Sequence, residues 1–168
     1  MDYIAISFDE KGKTDEAVAF LQLVGNPDYA ALVLKRIGEL REEVQDNAQA
    51  LAVYDRLLAE YPNVLIAPEV AAHRIRLLDN TGATAQALQE REAFFTRFAR
   101  TSAWAKEMYA RDSARLVLSV SMAIAIGLYV GDYFFRKGQS SRDSADFAGA
   151  ARNYGMVVQA YPDDPRAI

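Results

Sequence analysis

The stretch ALVLKRIGELREEVQDNAQALAVYDRLLAEYP, residues Ala31–Pro62, decides how the rest of the chain is read. Two amphipathic helical segments meet at a polar break near Asp46 and Asn47. Gly38 lies in the first segment, Ala50 and Tyr54 in the second, and Pro62 just past its end. Antiparallel helices approach to within about 8–10 Å only where side chains are small, so Gly38 and Ala50 mark the expected crossing. Tyr54 is four residues after Ala50 on the same face and can fill the gap to a neighbouring hairpin. Pro62 cannot donate the hydrogen bond a continuing helix needs, so the chain turns there.

Gly38, Ala50, Tyr54 and Pro62 stand at the spacing of the small, small, aromatic and helix-stop positions of a tetratricopeptide repeat, which this unit closely resembles. The resemblance implies an all-α array of antiparallel hairpins, a right-handed superhelix, and a role in binding proteins. One such hairpin leaves an apolar face wet and needs stacked neighbours.

The same pattern extends both ways. Residues 2–24 read as a first hairpin, with Phe8, Gly12 and Ala17 at the aromatic, turn and small positions and Thr14 or Asp15 as cap. Asn26-Pro27-Asp28 supplies an N-cap, a first-position proline and an acidic first turn, giving a second hairpin over 27–61. A third follows over 68–99, with Ala71, Ile75 and Leu78 apolar, Gly82 in the turn, Thr84 as cap, and Ala87, Phe94 and Phe95 beyond. Arg91 stands there where the pattern wants an aromatic. The lengthened connection after Tyr61-Pro62 resembles that of bacterial cell-envelope repeat proteins, which implies an envelope location rather than the cytoplasm.

A last signature, DFAGAARNYGMVVQAYP, sets Phe147, Ala150, Tyr154 and Pro162 at the intervals of Asn47, Ala50, Tyr54 and Pro62, so a final helix is expected over 144–161. Between the two lies one long helix expected over 102–138, capped by Ser102, with Arg111–Ser113 and Gly127 as candidate kinks. Ser119, Ala123, Gly127 and Gly131 form a row of small residues at four-residue spacing inside the uncharged run Leu116–Gly131. Such a ridge lets another backbone come close. A core helix gripped by neighbouring hairpins is the expectation. A membrane span is not, because about 20 apolar residues are needed and Arg115 and Asp132 bound the run. A homodimer seam along the ridge is the alternative use.

Composition narrows the function. The chain has 168 residues, 51% hydrophobic and 25% charged, enough to bury a core. A net charge of −4 gives no attraction to nucleic acid. There is no cysteine, which removes disulfides, thiolate metal sites and a cysteine nucleophile. His73 is the single histidine, with no metal-ligand spacing around it. No phosphate-cradling glycine loop occurs. Neither an enzyme nor a cofactor is expected. The start lacks the basic and apolar regions of a signal peptide. Met1 enters what reads as a helix under way, and Asp164-Pro165 opens one with no room to form, so the expectation is a single domain over 1–168 taken from a longer array.

In tetratricopeptide arrays the first helix of each hairpin lines the concave groove. Carried over, this implies a binding surface of Asp9 and Glu10, then Lys35, Glu39, Glu42 and Glu43, then Glu69, Arg76, Asp79 and Asn80. The set is mainly acidic, so a basic or amphipathic segment is the expected protein or peptide partner. It lacks the lysines and asparagines of the chaperone-binding members, Lys35 being the sole match. The competing role is structural: self-association, or docking to an envelope complex, through the 103–138 helix.

Overall fold

The computed structural model describes residues 2–9 and 14–166; the side chains of Asp2, Asp9, Ala114 and Arg115 are outside that description. Every regular element among the described residues is helical, as an array of hairpins requires. The chain divides into two compact units, Met1–Ala83 and Thr84–Ile168. The division falls in the turn of the hairpin expected over 68–99, beside Gly82, whose φ of +77° suits a residue without a Cβ.

The first unit contains α1 (Asp2–Asp9), α2 (Thr14–Val24), α3 (Pro27–Glu43), α4 (Asn47–Glu60) and α5 (Ala67–Asn80). Helix α3 starts where the sequence says it should, because Asn26 Oδ1 accepts the Tyr29 N–H at 3.0 Å and Pro27 follows. It ends in a tight turn. Gln45 N–H donates to Glu42 O and Asp46 N–H to Arg41 O, both at 2.9 Å, with Gln45 left-handed at φ 60°. Asp46 then caps α4 through its side chain. Helices α1, α2 and α4 pack on α3, and α5 packs on α4. Leu34, Ile37, Leu57 and Ala50 are fully buried between them, the leucines and isoleucine each contributing about 1.5–3 kcal/mol. At the crossing of α3 and α4, Gly38 lies flat against the ring of fully buried Tyr54; a Cβ built on Gly38 would sit 2.2 Å from Tyr54 Cε1.

The second unit contains α6 (Thr84–Phe98), α7 (Ala103–Arg111), α8 (Ser113–Ser141) and α9 (Ser144–Ala160). The helix expected over 102–138 is two, broken within the Arg111–Ser113 stretch where a kink is expected. Ser102 Oγ caps α7 as anticipated, accepting from Ala105 N at 3.0 Å, but Asp112 is extended (φ −158°, ψ 89°) and stops it. Helix α8 packs against α6, α7 and α9. The α8–α9 hairpin repeats the α3–α4 joint. Gly131 meets Tyr154 as Gly38 meets Tyr54, an added Cβ falling 2.5 Å from Tyr154 Cε1. Arg142 takes the left-handed turn position at φ 57°, Asp143 caps α9, and Tyr161 ends it with the backbone angles of Tyr61.

The two hairpins differ in length. Arg142 stands eleven residues after Gly131, and Gln45 seven after Gly38, so the turn is displaced by about one helical turn. Phenylalanines fill the extra turn, Phe147 against Gly138 and Phe134 against Gly149.

The small-residue ridge of α8 is occupied within the unit. Ser119 and Ala123 are buried, and Gly127 is pressed by Val157 of α9 and Phe95 of α6 at 2.6 and 2.8 Å from an added Cβ. Side chains of the same unit thus lie against the ridge at Gly127 and Gly131. Among the described residues one helix, over Leu116–Ser141, is long and apolar enough to cross a membrane by length and composition.

Candidate functional site

The polar face shared by α3 and α5 gathers most of the residues carried over to the binding surface. The heptad spacing of Lys35, Glu39 and Glu42 on α3 and of Glu69, His73 and Arg76 on α5 puts each set on one side of its helix. Lys35 Nζ bridges the two helices, 2.5 Å from Glu39 Oε1 and 3.0 Å from Glu69 Oε1. Arg36, absent from the expected set, lies 2.8 Å from Glu43 Oε1 and 3.6 Å from Glu39 Oε2.

Glu42 is the centre of this face. Its Oε1 accepts from Tyr54 Oη at 2.6 Å and lies 2.9 Å from His73 Nδ1, which is also 3.0 Å from Arg76 Nη2. Its Oε2 pairs with Arg76. Tyr54, His73 and Glu42 thereby tie together three helices, and the His73 ring meets the Tyr54 ring edge-on at 5.7 Å. A fourth link runs from Arg74 of α5 to Asp55 of α4.

These contacts set the charges. Burial disfavours the Glu42 carboxylate, but hydrogen bonds from Tyr54 and His73 and the Arg76 charge outweigh it and hold its pKa below the usual range. Burial first, then the bond to Glu42, pushes the Tyr54 hydroxyl far up, so it stays a donor. Lys35 loses by burial yet is held above its ordinary value by Glu39 and Glu69.

The expected residues thus separate by what they touch. Lys35, Glu39 and Glu42 are largely covered and engaged inside the unit. Glu43, Glu69 and Arg76 keep about half or more of their side chains in solvent, and Asp79 and Asn80 are exposed at the end of α5. The Asp9 side chain and Glu10 lie outside the described residues, as does Gly12 of the first turn. The acids of this face do not stand alone: Lys35 bridges Glu39 and Glu69, Arg36 bridges Glu39 and Glu43, and Arg76 pairs with Glu42. No single sequence signal could have shown this: Glu42 and His73 are 31 residues apart.

In the second unit the corresponding helix is α8. Tyr129, Asp132, Tyr133 and Arg136 line a hollow of about 390 Å³ on it. Tyr154 Oη donates to Asp132 Oδ1 at 2.5 Å, and burial followed by this bond raises the hydroxyl pKa to about 12. Arg91, in the place of an aromatic, is buried with its guanidinium 4.2 Å above the Tyr129 ring, so its stem and flat head serve as the missing packing surface. Lys137 and Ser141 hold the buried Asp146 carboxylate at 2.6 and 2.8 Å, and these bonds keep its pKa low.

In comparisons with known proteins, the tetratricopeptide repeat family model matches residues 33–63, which cover the Gly38–Tyr54 joint, Glu42 and the Tyr61-Pro62 stop. No curated protein matches the chain.

Proposed function

We propose that this chain, which carries a tetratricopeptide repeat over residues 33–63, is a non-catalytic scaffold that holds a segment of a partner protein along the polar face of α3 and α5. Repeats of this kind are protein-interaction modules. The observation that carries the reading is the division of labour on that face. An inner layer of Lys35, Glu39, Glu42 and His73 is fixed by mutual bonds, and an outer layer of Glu43, Glu69, Arg76, Asp79 and Asn80 is presented by it. A preordered inner layer lowers the entropy lost when a partner binds.

The partner segment that suits this face is amphipathic with a few basic residues. Glu43 and Glu69 each have one in-chain cation to exchange, Arg36 and Lys35, whereas Glu42 has three contacts to give up. Selection of random peptides on the immobilised chain, followed by Glu43→Lys and Glu69→Lys, tests this. Selected peptides should lose most of their binding, with a salt-dependent on-rate in the parent. Peptides that bind both charge-reversed variants unchanged would dispose of the surface. The envelope location implied by the repeat ends belongs to the same proposal and is tested by cell fractionation.

A further inference from the structure

The second unit contains a cleft that the scaffold reading does not use. Helix α9 runs antiparallel to α8, with Tyr154 at Gly131 and Val157 at Gly127, and ends at Ala160 before it reaches the first turns of α8. Those turns face α7, the end of α6 and the segment after Tyr161 instead. The space left is a cleft of about 680 Å³, within the roughly 300–1,000 Å³ of small-molecule sites. Phe98, Leu116, Val117, Val120 and Tyr161 make its apolar wall.

Charge is distributed unevenly around that wall. Arg166 is neutralised by Asp164, Nη2 to Oδ2 and Nε to Oδ1 both at 2.8 Å, which holds the Asp164 pKa at about 2. Arg100 and Lys106 also line the cleft and make no ion pair among the described residues; besides Asp164, the described lining holds one carboxylate, Asp163. An apolar wall beside two unanswered cations fits a ligand with a greasy body and an anionic end. A neutral apolar molecule would leave both cations idle, and a cationic one would be repelled.

We infer that this cleft binds a single-tailed anionic amphiphile, its tail along Leu116, Val117 and Val120 and its carboxylate or phosphate head between Arg100 and Lys106. The only tryptophan of the chain reports on it. Trp104 stacks edge-on against Phe98 at 5.1 Å, and Phe98 is part of the wall.

The 168-residue chain is titrated with dodecanoate and with dodecyl phosphate below their micelle concentrations, reading Trp104 emission and calorimetry. Dodecyltrimethylammonium is the control of opposite charge. The expected result is saturable one-to-one binding of at least one anionic probe, the tighter of the two naming the head group. Arg100→Ser and Lys106→Ser should each weaken it about tenfold, as the loss of a charge-assisted bond does, and Asp163→Asn should tighten it. Val117→Asp, at an exposed position, should abolish binding while circular dichroism and the unfolding midpoint stay as in the parent. Equal binding of the cationic control, unchanged affinity in both serine variants, or no saturation by either anion would overturn the proposal.

Discussion

Replacing Gly38 by alanine separates the joint described above from ordinary helix preference. In a helix interior alanine is favoured over glycine by about 0.5–1 kcal/mol. Here the new methyl would lie 2.2, 2.7 and 2.9 Å from three ring atoms of Tyr54, a side chain with no exposed surface and its hydroxyl tied to Glu42. The ring cannot swing aside without giving up that bond and the packing of α4. Overpacking of this kind costs about 1–3 kcal/mol or more, which exceeds the propensity gain. Gly38→Ala should therefore lower stability by about 1–2 kcal/mol, or roughly 2–8 °C in unfolding midpoint at 2–4 °C per kcal/mol. Two companions make the result specific. Gly155 is also helical, has open space at its Cβ, and should be stabilised by alanine. In a Tyr54→Leu background, already weakened by a cavity, Gly38→Ala should become neutral or favourable, a coupling readable in a double-mutant cycle. Thermal unfolding by circular dichroism measures all four. A higher midpoint for Gly38→Ala in the parent, or simple additivity with Tyr54→Leu, would refute the reasoning.

Acid should act through Glu42. Its folded pKa lies below the unfolded value near 4.5, so the unfolded chain takes the proton first as pH falls. The contribution is therefore complete above about 4.5 and is lost as pH drops through the folded value. The gap in unfolding midpoint between parent and Glu42→Gln should be widest at neutral pH and narrow toward pH 3; a constant gap would show that ionisation is not its source. At the two left-handed turn positions, Gln45→Gly and Arg142→Gly should each stabilise by about 0.5–1 kcal/mol, since a Cβ costs about 1–2 kcal/mol there and glycine returns part of that as chain entropy. Paired denaturant curves would show it as a raised midpoint with unchanged slope.

Those turn positions also show what a sequence conceals. The α3–α4 joint was legible because Gly38, Ala50, Tyr54 and Pro62 are rare choices whose geometry is nearly forced. Asn26 and Ser102 were legible for the same reason, each having one strongly favoured use ahead of a helix. Gln45 and Arg142 carry no such mark, because the turn is imposed by the two helices it joins and not by the residue in it. Asp112 was half legible: Arg111–Ser113 reads as a kink, but nothing in ARDSA forbids a continuing helix, so α7 and α8 read as one bent element. The ridge of α8 was visible as a pattern, but which side chains would fill it depended on α6 and α9. The charge balance of the α3–α5 face was hidden most fully. Counting residues makes it acidic, and only the arrangement in space shows three cations shared among four glutamates.

The paired joints, Gly38 with Tyr54 and Gly131 with Tyr154, bring together helices of quite different size: 17 and 14 residues in one case, 29 and 17 in the other. Docking is thus anchored at a single small-on-large spot, and what lies beyond it is free to grow. New turns can be appended at either end of a helix without disturbing its grip on its mate. The unmatched ends become fresh surface on which a second specificity can arise beside an older one.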